Sequence, residues 1–147
     1  MEPEYLNLVR LLNEEKVEYV VLGGHAVIAH GYLRTTGDID IFVNPTPENA
    51  QKIVLALEKY GFTNGEFEVL DFILVPNYLS FSRYDGWIDL MTFTVGVTFE
   101  ECYQNKIELE VQGVKIKFIN LRELIKNKKT LGRPQDLNDL QNLENLE

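Results

Sequence analysis

The stretch GGHAVIAHGYLRTTGDIDIFV, residues 23–43, puts a sharp demand on any fold. Gly23 and Gly24 close one apolar run, VEYVVL, and Asp38 and Asp40 stand at the mouth of the next, whose other members are Ile39, Ile41, Phe42 and Val43. In a strand, residues i and i+2 share a face, so the two carboxylates project side by side while Ile39 and Ile41 face the core. Carboxylates that close repel each other; one takes up a proton, or a cation sits between them. A hard divalent ion with oxygen ligands suits such a pair. The plainer reading has Asp38 capping a turn and Asp40 solvated at a strand edge, and a bare Asp-x-Asp does not choose between the two.

The surrounding pattern supplies a fold class. Tyr5, Leu8, Val9 and Leu12 follow the i, i+3, i+4, i+7 spacing of a one-sided helix. VEYVVLG reads as a buried strand, His25–His30 as a short helix and IDIFV as a second strand. Thr46-Pro47 is an N-cap with proline at the first helical position, opening a helix that presents Ala50, Ile53, Val54 and Leu57 and stops at Gly61. A β-rich middle follows: FEVLDFILV, YLSFSRYD and WIDLMTF. Thr98 and Glu101 have capping-box spacing, as do Asn120 and Glu123. IELEV and VKIKF alternate around Gln112-Gly113 and predict a hairpin. LRELIKNKKTL is helical up to Gly132 and Pro134, and Leu137, Leu140, Leu143 and Leu146 line a last helix. Strands and helices mix without regular βαβ alternation, which predicts an α+β fold: a small mixed sheet backed by helices, with helices at the C-terminal end. A length of 147 residues predicts one domain spanning 1–147.

Composition excludes several classes. A net charge of −9 lacks the basic footprint of a general nucleic-acid binder. Cys102 is the single cysteine, so neither a disulfide framework nor a cysteine-rich zinc site is expected. The amphipathic start MEPEYLNLVR is not a signal peptide, and no apolar run approaches the roughly 20 residues of a membrane helix. A cytoplasmic location without membrane contact is the expectation.

Two further features bear on the aspartates. Asp89 lies between Ile88 and Leu90 in WIDLMTF, and a carboxylate buried there needs a partner. If its strand neighbours that of Asp38 and Asp40, three carboxylates converge; Asp71, in VLDFILV, is a competitor in a similar setting. Gly23-Gly24 is either a simple strand-to-helix turn or a phosphate cradle, where bare backbone approaches a phosphate closely.

The order Gly-Gly, short helix, Arg-x-Thr-x-Asp-x-Asp, then apolar-Asp-apolar resembles the nucleotidyltransferase superfamily related to DNA polymerase β. LRELIKNKKTLGRPQDL resembles the closing helices of its small bacterial members: minimal nucleotidyltransferases, toxins of abortive-infection pairs and lincosamide-modifying enzymes. The resemblance implies that Asp38, Asp40 and Asp89 hold Mg²⁺ (or Mn²⁺) and act in catalysis. It implies that Gly23 and Gly24 contact the phosphates of a nucleoside triphosphate (ATP among the candidates), and that a nucleoside monophosphate passes to an acceptor hydroxyl as pyrophosphate leaves. Many members carry serine where Gly24 stands; Thr35 or Thr36 is the candidate to replace its hydroxyl. The resemblance also sets Lys128 and Arg133 at characteristic positions, toward a triphosphate or an acidic acceptor.

Other residues have two readings. His25 faces the triphosphate or simply packs. Lys126, Lys128, Lys129 and Arg133 form either a phosphate-binding run or a solvated helix end. Trp87, Tyr78 and Tyr84 stack a base or, the favoured reading, fill the core. The acceptor is a small molecule, a protein side chain or an RNA end, with the acidity weighing against RNA. At this size a partner protein or a homodimer is the open route to completing the cleft. The alternative function is a catalytically silent nucleotide-binding or toxin–antitoxin partner module on the same fold.

Overall fold

The computed structural model describes residues 1–63 and 65–146. Its centre is β2 (Asp38–Val43), in which Ile39, Ile41 and Val43 are wholly buried. On one side β2 pairs antiparallel with β1 (Tyr19–Leu22). On the other it pairs parallel with β4 (Trp87–Met91). With β3 (Tyr78–Ser82), β5 (Ile107–Val111) and β6 (Val114–Phe118), these form a six-stranded sheet in the order β3-β4-β2-β1-β6-β5. The mixed sheet and its helices bear out the α+β expectation.

Local chemistry places most of the boundaries. Helix α1 (Pro3–Glu14) buries Tyr5, Leu8, Val9 and Leu12 and packs on α3 (Pro47–Tyr60), which buries Ala50, Ile53 and Leu57. Thr46 accepts a hydrogen bond from the Asn49 N–H at the start of α3. Thr98 and Glu101 form the reciprocal capping box of α4 (Phe99–Gln104). The β5–β6 hairpin turns at Gln112 and Gly113, both at positive φ (49° and 86°), the geometry of a tight primed turn. Asn120 caps α5 (Leu121–Leu131) through the Arg122 N–H, and Glu123 instead accepts from Asn105 rather than closing a box.

Four expectations are corrected. FEVLDFILV holds no described strand: Val69–Phe72 is a 3₁₀ turn, closed by Glu68 and Asp71 in a capping box, because a two-carboxylate local cap competes with the ladder. Helix α2 (Gly23–Ala29) begins at the glycines, not at His25. In α6 (Pro134–Leu143) the buried stripe is Asp136, Asp139, Leu140 and Leu143; Leu137 is exposed, and Leu146 lies in a separate 3₁₀ turn. Trp87, Tyr78 and Tyr84 are each more than half exposed and do not fill the core. Among the described residues no helix is long and apolar enough to cross a membrane.

Candidate functional site

Parallel pairing sets Asp40 of β2 directly beside Asp89 of β4, with Asp38 one pleat along on the same face. The three carboxylates each offer an oxygen within 4.8 Å of the others. Tyr5 holds the entrances of both strands. Its hydroxyl proton is shared between the carbonyls of Gly37 and Trp87, 3.1 and 3.0 Å away, the residues that precede Asp38 and Ile88. Asp71 takes no part in this cluster, since its carboxylate accepts from the Glu68 N–H at 2.8 Å.

So many carboxylates at short range resist ionisation together. Burial, then the charge of Asp38 and contact with Asp89, push the Asp40 carboxyl up to about 8. Burial and then Asp89 also raise Asp38, while the Thr36 hydroxyl, 3.4 Å from its Oδ1, works the other way. Burial followed by the charges of Asp89 and Asp40 raises the Tyr78 phenol. The donor set is all hard oxygen and carries more negative charge than the protein alone balances. It fits Mg²⁺ or Mn²⁺.

The glycines stand against this cluster. Gly23 has φ +61°, and a Cβ there would collide with the Asp40 carboxylate. A Cβ on Gly24 would lie 2.5 Å from Thr36 Oγ1 and 3.1 Å from an Arg34 guanidinium nitrogen. Glycine is therefore required at both positions: at the first by backbone angle and the Asp40 carboxylate, at the second by Thr36. The cleft they line has a volume of about 570 Å³ and also takes in Arg34, Thr36, Tyr78 and Lys128.

Lys128 differs from expectation. It is 3 % exposed, and its ammonium binds Asp136 Oδ1 at 3.1 Å and Asp139 Oδ2 at 2.9 Å, both carboxylates fully buried. Arg34 grips Asp139 through Nε and Nη2 (2.8 and 3.0 Å), and Arg133 grips Asp136 through Nε and Nη2 (2.7 and 3.2 Å). Burial pushes the Asp136 carboxyl up, but the bonds from Arg133 and Lys128 outweigh it and hold the group below its ordinary value. Lys128 borders the cleft as the centre of a buried ion cluster, with two of its three donors committed. Arg133 is the more exposed cation, its side chain 66 % accessible at the cleft wall. Lys126 and Lys129 pair with Glu101 and Glu144 as exposed surface charges.

Asp136 and Asp139 receive no role in the sequence reading, and Arg34 enters it only as the first residue of the Arg-x-Thr-x-Asp-x-Asp motif. The signal was there: Asp136 and Asp139 occupy the i and i+3 places of a stripe completed by Leu140 and Leu143, where an unpaired acid does not belong. His25 takes the packing role. It is buried edge-on to Tyr5 with ring centroids 5.6 Å apart, and burial lowers its pKa.

Comparisons with known proteins identify a family and a fold. A family model described as "Nucleotidyltransferase of unknown function (DUF6036)" matches residues 4–146. The chain belongs to this family. Its fold is similar to that of TM1012 from Thermotoga maritima, provisionally described as a nucleotidyltransferase (20% identity, all of this chain and 96% of that one, TM-score 0.66). It is also similar to lincosamide antibiotic adenylyltransferase LnuA, solved with lincomycin bound (19% identity, 100% and 98% coverage, TM-score 0.59). An antigenic nucleotidyltransferase-like protein from Paracoccidioides brasiliensis shares the fold at 12% identity (97% and 77% coverage, TM-score 0.53). No curated protein matches the chain in sequence. As a nucleotidyltransferase, it acts in nucleotide transfer.

Proposed function

We propose that this nucleotidyltransferase moves a nucleoside monophosphate from a nucleoside triphosphate, in the presence of Mg²⁺ or Mn²⁺, to an acceptor hydroxyl. The observation that carries the reading is the convergence of Asp38, Asp40 and Asp89 beside a glycine pair that admits no side chain. The three aspartates would hold the metal, which when bound supplies charge stabilisation at the reacting phosphate. Bare backbone at Gly23 and Gly24 lets the β- and γ-phosphates approach, and the Thr36 hydroxyl adds a donor that Gly24 lacks. Arg133 offers positive charge to the departing pyrophosphate, while Lys128 keeps the arginine-bearing wall in place. Asp89 orients the acceptor hydroxyl and accepts its proton. The acceptor oxygen bonds to the α-phosphorus as the bond from that phosphorus to the β-phosphate oxygen breaks. A partner chain or a second copy would extend the cleft.

Calorimetric titration with α,β-methylene-ATP, with and without Mg²⁺, tests this. Tight binding that needs metal, lost in both Asp40→Asn and Asp89→Asn, is expected. Equal binding without metal in all three proteins overturns the reading.

A further inference from the structure

A second concavity of about 470 Å³ adjoins the cleft and shares with it Tyr78, Met91, Thr94 and Leu131. Beyond that shared wall it is formed by Pro76, Asn77, Phe93 and Val95, so no charged side chain is among its described lining residues. Phe93 and Tyr78 stand 49% and 57% exposed, as does the adjoining Val75 at 54%, an open apolar rim in an acidic protein. Its walls are held by buried polar side chains. The Thr92 hydroxyl donates to the Leu74 carbonyl at 2.6 Å and accepts from the Asn77 N–H at 2.9 Å. The Asn127 amide, 3% exposed, donates to Thr94 Oγ1 and to the Val95 carbonyl at 3.0 and 2.8 Å. The groove is thus built before anything enters it, which reduces the ordering cost of binding.

Its place in the sheet gives it a role. Gly23 and Gly24 follow β1, on one side of β2; β4 and β3, which bear Asp89 and Tyr78, lie on the other. In an in-line displacement the entering and leaving oxygens sit on opposite sides of the phosphorus. If pyrophosphate leaves over the glycines, the acceptor enters from the β4–β3 side, where the groove is lined by Tyr78 and Met91, the latter two residues along β4 from Asp89 on the same face.

We propose that this groove seats the acceptor, and that the acceptor is a hydroxyl-bearing small molecule with an apolar body and no phosphates. The assignment rests on the nucleotide-transfer reading above. A nucleic-acid end needs cations for its phosphates, and none is among the described residues that line the groove.

Amide NMR spectra of the whole chain, with phenyl β-D-glucoside as probe, test it. At millimolar concentration the glucoside shifts the signals of Tyr78, Phe93 and Val95. It does so equally with α,β-methylene-ATP and Mg²⁺ already shifting Gly23 and Gly24. Phe93→Ser, an exposed position that leaves the core intact, weakens the glucoside about tenfold and the nucleotide not at all. Three results overturn the proposal: no shift at the groove, displacement of the glucoside by the nucleotide, or stronger shifts there from an RNA pentanucleotide. Silence of Gly23 and Gly24 toward the nucleotide overturns the transferase site itself, and is separately visible in the same spectra.

Discussion

The Thr36 hydroxyl occupies the space beside Gly24: a Cβ on that glycine would come within 2.5 Å of it. The two residues behave as one unit, a hydroxyl carried by the loop before β2 rather than by the turn after β1. Thr36→Val keeps the shape and removes the donor. Triphosphate affinity should fall about threefold to tenfold, the range of one ordinary hydrogen bond, while Thr36→Ser retains most of it. Gly24→Ser alone should bind poorly, and Gly24→Ser with Thr36→Gly should recover affinity. Titration of the four variants checks this; failure of the double variant to improve on Gly24→Ser would separate the two positions.

The Asp40 carboxyl, raised to about 8, makes stability depend on pH. Unfolded, the group returns to about 4. Between those values the folded chain holds a proton that the unfolded chain has released. The stabilising contribution is complete below about pH 4 and is lost as pH rises toward 8, at up to about 1.4 kcal/mol per pH unit. Asp40→Asn should be more resistant to denaturant than wild type near pH 8, with the gap closing toward pH 5. Parallel stability curves for the two proteins would show that Asp40 ionises normally.

Lys128 and Arg133 should separate cleanly. Lys128→Ala takes the shared buried cation from Asp136 and Asp139, leaving each with one arginine, and should cost up to about 3–5 kcal/mol of stability, the upper end being that of a buried pair losing its partner. Arg133→Ala removes a largely exposed side chain, so thermal stability should change far less. It should weaken triphosphate binding by about tenfold and monophosphate binding much less. Melting curves together with titrations of both nucleotides decide it. An Arg133→Ala protein that treats the two nucleotides alike removes Arg133 from the phosphate site.

Asp71 and Asp89 form a matched pair. Asp71→Asn loses part of a local cap, about 1 kcal/mol, and should bind nucleotide and metal as wild type does. Asp89→Asn relieves repulsion beside Asp40, so the metal-free protein should be as stable as wild type or more so, with Mn²⁺ affinity sharply reduced. Manganese electron paramagnetic resonance reads the second effect, and normal Mn²⁺ affinity in Asp89→Asn contradicts the site.

Much of the site was legible because its parts are adjacent in sequence or carry a period. Asp38 and Asp40 share a face by the alternation of any strand, and the glycines mark the end of β1. The convergence of Asp89 was only conditional, because it depends on β4 lying next to β2, a parallel pairing between segments more than 40 residues apart. The ion pairing of Lys128 is not legible in the sequence for a related reason. Its partners, Asp136 and Asp139, sit across a helix–helix corner, and from sequence a lysine near a helix end is indistinguishable from a solvated one. Tyr78, Tyr84 and Trp87 look like core residues by type. Their exposure follows from β3 being an edge strand and from the turn that joins it to β4.

The ion cluster of Arg34, Lys128, Arg133, Asp136 and Asp139 also restricts how this protein can change over generations. Removing any one of the three buried members, Lys128, Asp136 or Asp139, takes one partner from each charge it touches in a dry interior, whereas replacing them together by apolar residues need not be harmful. Single steps away from the arrangement therefore run downhill in stability, while the multi-residue alternative is reached only through those steps. The cleft wall is held as much by this barrier between sequences as by the bonds themselves: new specificities should arise by substitutions at the open rim around Phe93 and Tyr78, where each change can be made alone.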